Sequence, residues 1–203
     1  MKRTYPSKIR NGNRRKIFFI ADTHFGHTNM IRLCHRPYAS VEEMDEDMVR
    51  RWNAVVGADD DVYILGDFSY KGADPCTYLD RLNGRKHLII GNHDQKPLDS
   101  PEFRRRFVEI KDVKTLVCGG KRIVLFHYPM VEWDGMYRGS IHFFGHIHNN
   151  NMEPTWKLMS GIKGAYNVGA DVIGFTPRTM EEILSEYDAW TSGKEATGKK
   201  AKA

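Results

Sequence analysis

Lys16-Ile17-Phe18-Phe19-Ile20-Ala21 runs directly into Asp22-Thr23-His24, and that junction decides how the rest of the chain reads. A short apolar run bounded by polar residues fits a buried strand, and here the strand gives out where a carboxylate and an imidazole begin. The same junction recurs along the chain. Asp61-Val62-Tyr63-Ile64-Leu65 closes on Gly66-Asp67, and Lys86-His87-Leu88-Ile89-Ile90 closes on Gly91-Asn92-His93-Asp94. Ile123-Val124-Leu125-Phe126 ends at His127, and Ser140 to Phe144 leads to Gly145-His146-Ile147-His148. Open sheets with parallel strands bind ligands beyond the carboxyl ends of those strands. Five strand ends carrying His, Asp or Asn therefore mark one candidate site.

Between these strands the pattern turns helical. Ser40 stands three residues before Glu43, a capping-box spacing, and Val41, Met44, Met48 and Trp52 recur at helical intervals to about Val56. Asp74-Pro75 and Ser100-Pro101 each pair an N-cap with Pro at the first helical position, predicting short helices to about Leu82 and Phe107. Val113 to Cys118 and Lys121 to Phe126 flank Gly119-Gly120, a hairpin signature. Ala165 to Val168 reads as a further strand and Thr179 to Trp190 as a last helix. Strand alternates with helix in the first half, and strands dominate the second. This predicts an α/β sandwich with mixed sheets, one domain over 17–190, with a basic arm at 1–16 and a Lys-rich tail at 191–203.

With 203 residues, 40% of them hydrophobic and 11% aromatic, the chain is long and apolar enough to bury a core. The five-residue run Ile17 to Ala21 falls far short of the ~20 residues of a membrane span, and no apolar stretch of signal-peptide length follows the basic N-terminus. Cys34, Cys76 and Cys118 are odd in number and widely spaced, which argues against a disulfide framework and for a reducing, cytoplasmic setting. No membrane partner is expected, and the sequence is silent on oligomeric state. The formal charge of +5 is unevenly placed: residues 1–16 carry +7, residues 194–203 carry +3, and the body between them −5. Basic arms of this kind can bind the phosphates of a nucleic acid by counterion release or act as solubilising tails.

The candidate ligands are Asp22, His24, Asp67, Asn92, His127, His146 and His148. Four imidazoles, two carboxylates and an amide oxygen, with no thiolate, suit Mn, Fe or Zn. Seven donors exceed one tetrahedral site and suit two ions bridged by a carboxylate, ~3.5–4 Å apart, an arrangement used for phosphoryl transfer. In Asp-x-His and His-x-His, ligands one residue apart are expected on the same side of an extended segment. The glycines before Asp67, Asn92 and His146 are expected to permit sharp turns and close approach.

Taken in order, Asp22-x-His24, Gly66-Asp67, Gly91-Asn92-His93-Asp94, His127 and Gly145-His146-x-His148 resemble the five motifs of the calcineurin-like metallophosphoesterase superfamily. The continuation Asp22-Thr23-His24-Phe25-Gly26-His27-x-Asn29 is similar to compact single-domain bacterial and phage-type members. The resemblance implies a four-layer α/β/β/α sandwich around a dinuclear centre. It implies that Asp22, His24, Asp67 and His148 hold one metal and that Asp67, Asn92, His127 and His146 hold the other. Mn is the first candidate, with Fe, Zn or Ni as alternatives. His93 would protonate the leaving oxygen or stabilise the transition state, with Asp94 orienting it, and a hydroxide shared by the metals would attack directly. His27 could reach the substrate phosphate or pack behind the ligands.

Protein phosphatases of the superfamily carry Gly-Asp-x-x-Asp-Arg-Gly, whereas this chain has Gly66-Asp67-Phe68-Ser69-Tyr70-Lys71-Gly72. Without that Arg, the expected substrate is a phosphodiester of nucleotide or nucleic-acid type. A phosphomonoesterase is the alternative, and a catalytically silent binding protein on the same fold is the remaining one. Tyr128, Trp133 and Tyr137 could stack on a base or pack their loop. Arg104-Arg105-Arg106 splays over different helix faces and reads as solvated surface, and His35, His87 and His142 read as structural.

Overall fold

The computed structural model describes residues 15–191, so most of the basic arm (1–14) and nearly all of the Lys-rich tail (192–203) lie outside the described residues. In chain order the elements are β1 (Ile17–Ile20), α1 (Asn29–Leu33), α2 (Val41–Val55), β2 (Asp61–Ile64), α3 (Pro75–Leu79), β3 (Arg85–Ile89), α4 (Pro101–Arg104) and β4 (Phe107–Lys111). The second half holds β5 (Val113–Cys118), β6 (Lys121–Phe126), β7 (Ile141–Phe144), α5 (Pro154–Ser160), β8 (Ala165–Asn167), α6 (Ala170–Ile173), β9 (Arg178–Thr179) and α7 (Met180–Thr191).

Two sheets result. One has the order β4-β3-β2-β1-β9, with only β9 antiparallel; the other has the order β5-β6-β7-β8, with an antiparallel β5–β6 pair and parallel β6, β7 and β8. Period-two alternation builds the layers. Phe19 and Ala21 join Leu65 and Ile89 against Ile123, Leu125 and Phe143 of the second sheet. Their neighbours Phe18 and Ile20 face the other way, onto Met44, Met48 and Trp52 of α2 and onto α6. Behind the second sheet, Val124 and Phe144 pack on Trp133 and Met159. This is the mixed α/β sandwich the sequence predicts, and its layering matches α/β/β/α.

Ser40 caps α2, its hydroxyl accepting from Glu43 N–H at 3.2 Å, while the Glu43 carboxylate accepts from Ala39 N–H rather than from Ser40 itself. Two helices are shorter than their caps suggest. The helix opened by Asp74 ends at Leu79, and that opened by Ser100 ends at Arg104. Phe107 starts β4 and pairs in parallel with Lys86 of β3, so tertiary pairing overrides local pattern there. The second half is also more helical than its composition suggests, with α5 and the four-residue α6.

Candidate active site

Each of the five strand ends delivers its polar residues to the same end of the sandwich. The loop after β1 runs beside the loop after β2: Asp22 N–H donates to Gly66 O, His24 N–H to Asp67 O and Phe25 N–H to Phe68 O. The local geometry is not the extended alternation expected for Asp-x-His and His-x-His. Asp22, His24, Asp67, His146 and His148 all have positive φ, between 49° and 70°. Left-handed backbone at a non-glycine residue costs of order 1–3 kcal/mol and gathers at functional sites; five of the seven candidate ligands adopt it. Folding back at each ligand, rather than running straight, aims these side chains inward. The glycines permit the close packing this needs. A Cβ on Gly91 would lie 2.4 Å from Asp67 Oδ1, and one on Gly145 would lie 2.4 Å from Asp22 Oδ2.

The side chains form two groups around Asp67. Asp22, His24 and His148 bring ligand atoms within 4.8 Å of one another, and Asp67, His127 and His146 do the same. Asn92 Oδ1 joins the second group, 3.1 Å from His127 Nε2 and 3.0 Å from His146 Nδ1. Asp67 Oδ1 is anchored by His93 N–H at 2.8 Å. Its Oδ2 faces His24 Nε2 at 3.7 Å, His127 Nε2 at 3.6 Å and His93 Nε2 at 4.0 Å.

Ring orientation comes from behind. His127 Nδ1 bonds the Leu65 carbonyl at 2.8 Å, which assigns the proton to Nδ1 and leaves the Nε2 lone pair facing the cluster. His148 Nδ1 bonds Asp171 Oδ2 at 2.8 Å. Asp171 is held in turn by Arg36, Nε to Oδ1 at 2.6 Å, with both side chains fully buried. The same guanidinium donates to the Asp22 and Thr23 carbonyls, each at 2.8 Å. Arg36 and Asp171 thus tie the first strand end to the last, and sequence reading missed both. They are 135 residues apart, and neither stands in a motif.

The residues fit divalent ions. Asp22 Oδ1 and both nitrogens of His24 are buried without a hydrogen-bond partner, and orphaned buried polar atoms of this kind need an explanation such as an ion. Burial pushes the Asp22 carboxyl up to about 7, only partly countered by His148. Burial also raises Asp67 and holds His24 and His127 below the usual imidazole range. His148 goes the other way: burial alone would lower it, but Asp171, Cys34 and Asp22 raise it to about 11. A cluster that holds extra protons on a carboxyl and an imidazole gains by exchanging them for cations.

His93 and His27 stand beside the ligands. The His93 side chain is 41% exposed, and its ring lies 5.3 Å from that of His24. Asp94 does not orient it. The buried Asp94 carboxylate accepts instead from Gly91, Asp67 and Phe68 N–H, at 2.8, 2.9 and 3.1 Å, clamping the β2 and β3 loops together. His27 stacks on Tyr70 with ring centroids 4.0 Å apart, its Nδ1 unpartnered, and burial lowers it to about 4.

The weaker candidates separate. Trp133 is packing: its indole N–H donates to Ser140 O and its ring lies on His142. Tyr128 remains at the site, its ring 4.6 Å from that of His146, while Tyr137 lines a separate hollow. Arg105 and Arg106 pair with Glu102 and Asp80. His87 is held between Asp61 and Glu109, and His142 between Val124 O and Met130 N–H. His35, expected to be structural, is instead exposed at φ +52 beside the cluster.

The family profile of calcineurin-like phosphoesterases matches residues 15–189. The chain belongs to the calcineurin-like phosphoesterase family. It is accordingly a hydrolase of phosphoester bonds in a family that uses divalent metals, and both candidate ligand groups of this phosphoesterase fall within the matched residues. It is 32% identical to an uncharacterized protein of Methanocaldococcus jannaschii over 84% of this chain and 90% of that one. It is 28% identical to the gene 66 protein of Mycobacterium phage D29, over 68% and 81%. Among solved structures, a protein of unknown function from Aquifex aeolicus, AQ665, superposes with a TM-score of 0.67 at 27% identity, covering 84% of this chain and 98% of that one. Among the described residues no helix of the phosphoesterase is long and apolar enough to cross a membrane.

Proposed function

We propose that the enzyme is a phosphodiesterase working with two divalent ions, Mn first among the candidates and Fe, Zn or Ni the alternatives. Asp22, His24 and His148 would hold one ion, Asn92, His127 and His146 the other, and Asp67 would serve both. The observation that carries this reading is the Asp67 Oδ2 atom, 3.7 Å from an imidazole of one group and 3.6 Å from an imidazole of the other. When bound, such a pair of ions makes a water nucleophilic near neutral pH and takes up charge on the non-bridging phosphate oxygens.

The chain's own groups do the rest. His93 N–H keeps Asp67 turned so that Oδ2 faces both groups. The Leu65 carbonyl and the Asp171 carboxylate hold two imidazoles by their Nδ1 atoms. His93, partly exposed above Asp67, is placed to give a proton to the leaving oxygen, general-acid work suited to an imidazole. His27 and His93 both line a cavity that opens beside the candidate ligands, the side from which a substrate would enter. The residues lining that cavity include no Lys or Arg, and Arg36 is committed behind it to Asp171. A site without a free cationic side chain suits the single charge of a diester better than the double charge of a monoester.

Metal-loaded enzyme should therefore hydrolyse bis-p-nitrophenyl phosphate faster than p-nitrophenyl phosphate, and the reverse order would favour the monoesterase alternative. His93→Asn should retain metal yet lose ~10²–10⁴-fold on substrates with poor leaving groups, and less on nitrophenyl esters. Equal losses on both would make His93 a charge stabiliser rather than an acid.

A further inference from the structure

A cavity of about 790 Å³ opens beside the ligand cluster, between α1 with the turn that follows it and the 147–153 loop with the first turn of α5. Cluster residues His24, His93, His146 and His148 contribute part of its lining, so a phosphate held there has the remaining space next to it. A volume in the ~300–1,000 Å³ range suits a small organic molecule and far exceeds a phosphate group. The remaining wall has a chemistry of its own. Leu33 and Met152 are apolar yet 57% and 75% exposed. Asn150 and Asn151 line the cavity with side-chain amides that have no protein partner among the described residues. His35 stands with them in left-handed backbone, a strain found at ligand clamps. The only carboxylate on this wall is that of Glu153.

These groups describe their occupant. Free amides match the mixed donor–acceptor edge of a nucleobase, and apolar side chains and an imidazole match its flat faces. Glu153 can accept from a sugar hydroxyl. A polynucleotide would need cations along its backbone, and this wall offers none. We infer that the cavity is a nucleoside subsite and that the enzyme takes phosphodiesters of a single nucleoside, with the base held by Asn150, Asn151, Leu33, His35 and Met152. This rests on the phosphodiesterase reading above and names its substrate class.

The test compares thymidine 5′-p-nitrophenyl phosphate with methyl p-nitrophenyl phosphate, which share a leaving group and differ only in the nucleoside arm. The expected kcat/KM ratio is about tenfold or more in favour of the thymidine ester, carried by KM. In the double variant Asn150→Ala/Asn151→Ala, and separately in Met152→Asp, that ratio should fall about tenfold with the melting temperature retained. Saturation-transfer NMR between the protein and free thymidine in chelator gives a readout independent of turnover, and its signal should weaken in the same variants. A ratio near one that the variants leave unmoved, or a larger gain for an oligonucleotide than for the mononucleoside ester, overturns the inference. If neither ester is hydrolysed with Mn²⁺, Fe²⁺ or Zn²⁺, the phosphodiesterase reading falls, and the NMR signal alone then decides the subsite.

Discussion

The two sides of the Asp67 carboxylate are built differently. On one side, Asp22 and His148 are backed by the buried Arg36–Asp171 pair, so charged groups reach the ligands directly or through one hydrogen bond. On the other, Asn92, His127 and His146 are neutral, and His127 is held by a backbone carbonyl. An anionic donor set binds a divalent cation more strongly than a neutral one, and a carboxylate behind a ligating imidazole raises its basicity. On the two-ion reading, the first side would hold its ion more tightly and the second would exchange it more readily, with Asp67 common to both.

Asp67→Asn should produce the largest effect because it removes the charge both sides share. Metal content and activity should fall together, the activity by at least ~10²-fold, since bridging two ions requires a full carboxylate. Loss of one ion with the other retained would show that the sides do not depend on a common ligand.

Asp171→Asn should act on one side only. Removing a carboxylate behind a ligating imidazole commonly costs ~10–100-fold in metal affinity, and here the loss should appear in the tighter of two binding steps. A chelator titration of wild type should resolve a weak step and a tight step, and in the variant the two should converge. Weakening of both steps equally would make the Arg36–Asp171 pair a general structural support rather than a feature of one side.

The smallest effect concerns a histidine on neither side. His142 is fully buried; its Nε2 accepts from Met130 N–H and its Nδ1 bonds Val124 O. Burial lowers it to about 4 from an ordinary 6.5. The unfolded chain then binds the extra proton more readily, so this stabilisation is present above pH ~6.5 and lost as pH falls towards 4. The loss amounts to about 3 kcal/mol. Denaturant unfolding of wild type and His142→Gln at pH 7 and pH 4.5 should show a steeper acid loss in wild type, and parallel losses would contradict it.

The sequence made some of these features legible and hid others for physical reasons. The strand ends were visible because apolar runs stop abruptly at polar residues, and all five meet at one end of the sandwich. The backbone at those ligands was not visible: nothing in Asp22-Thr23-His24 announces positive φ at both ligands, because neighbouring loops impose it through hydrogen bonds. Asp94 stands next to His93, which invited a role in orienting it, but its carboxylate turns inward to three backbone N–H groups. Arg36 follows a five-residue helix and Asp171 sits within a four-residue one, both too short for a periodic signal, and the two meet only once the chain has folded. His35 looked ordinary because its strain and exposure belong to the cavity rather than to local sequence.

If Asp67 serves two ions, both must be present in the active enzyme, and they can be counted. Active enzyme freed of loosely bound metal by gel filtration should be analysed for metal by mass spectrometry alongside its specific activity. Activity that rises until two ions are bound per chain is the expected result. Full activity with one ion per chain would contradict the two-metal account.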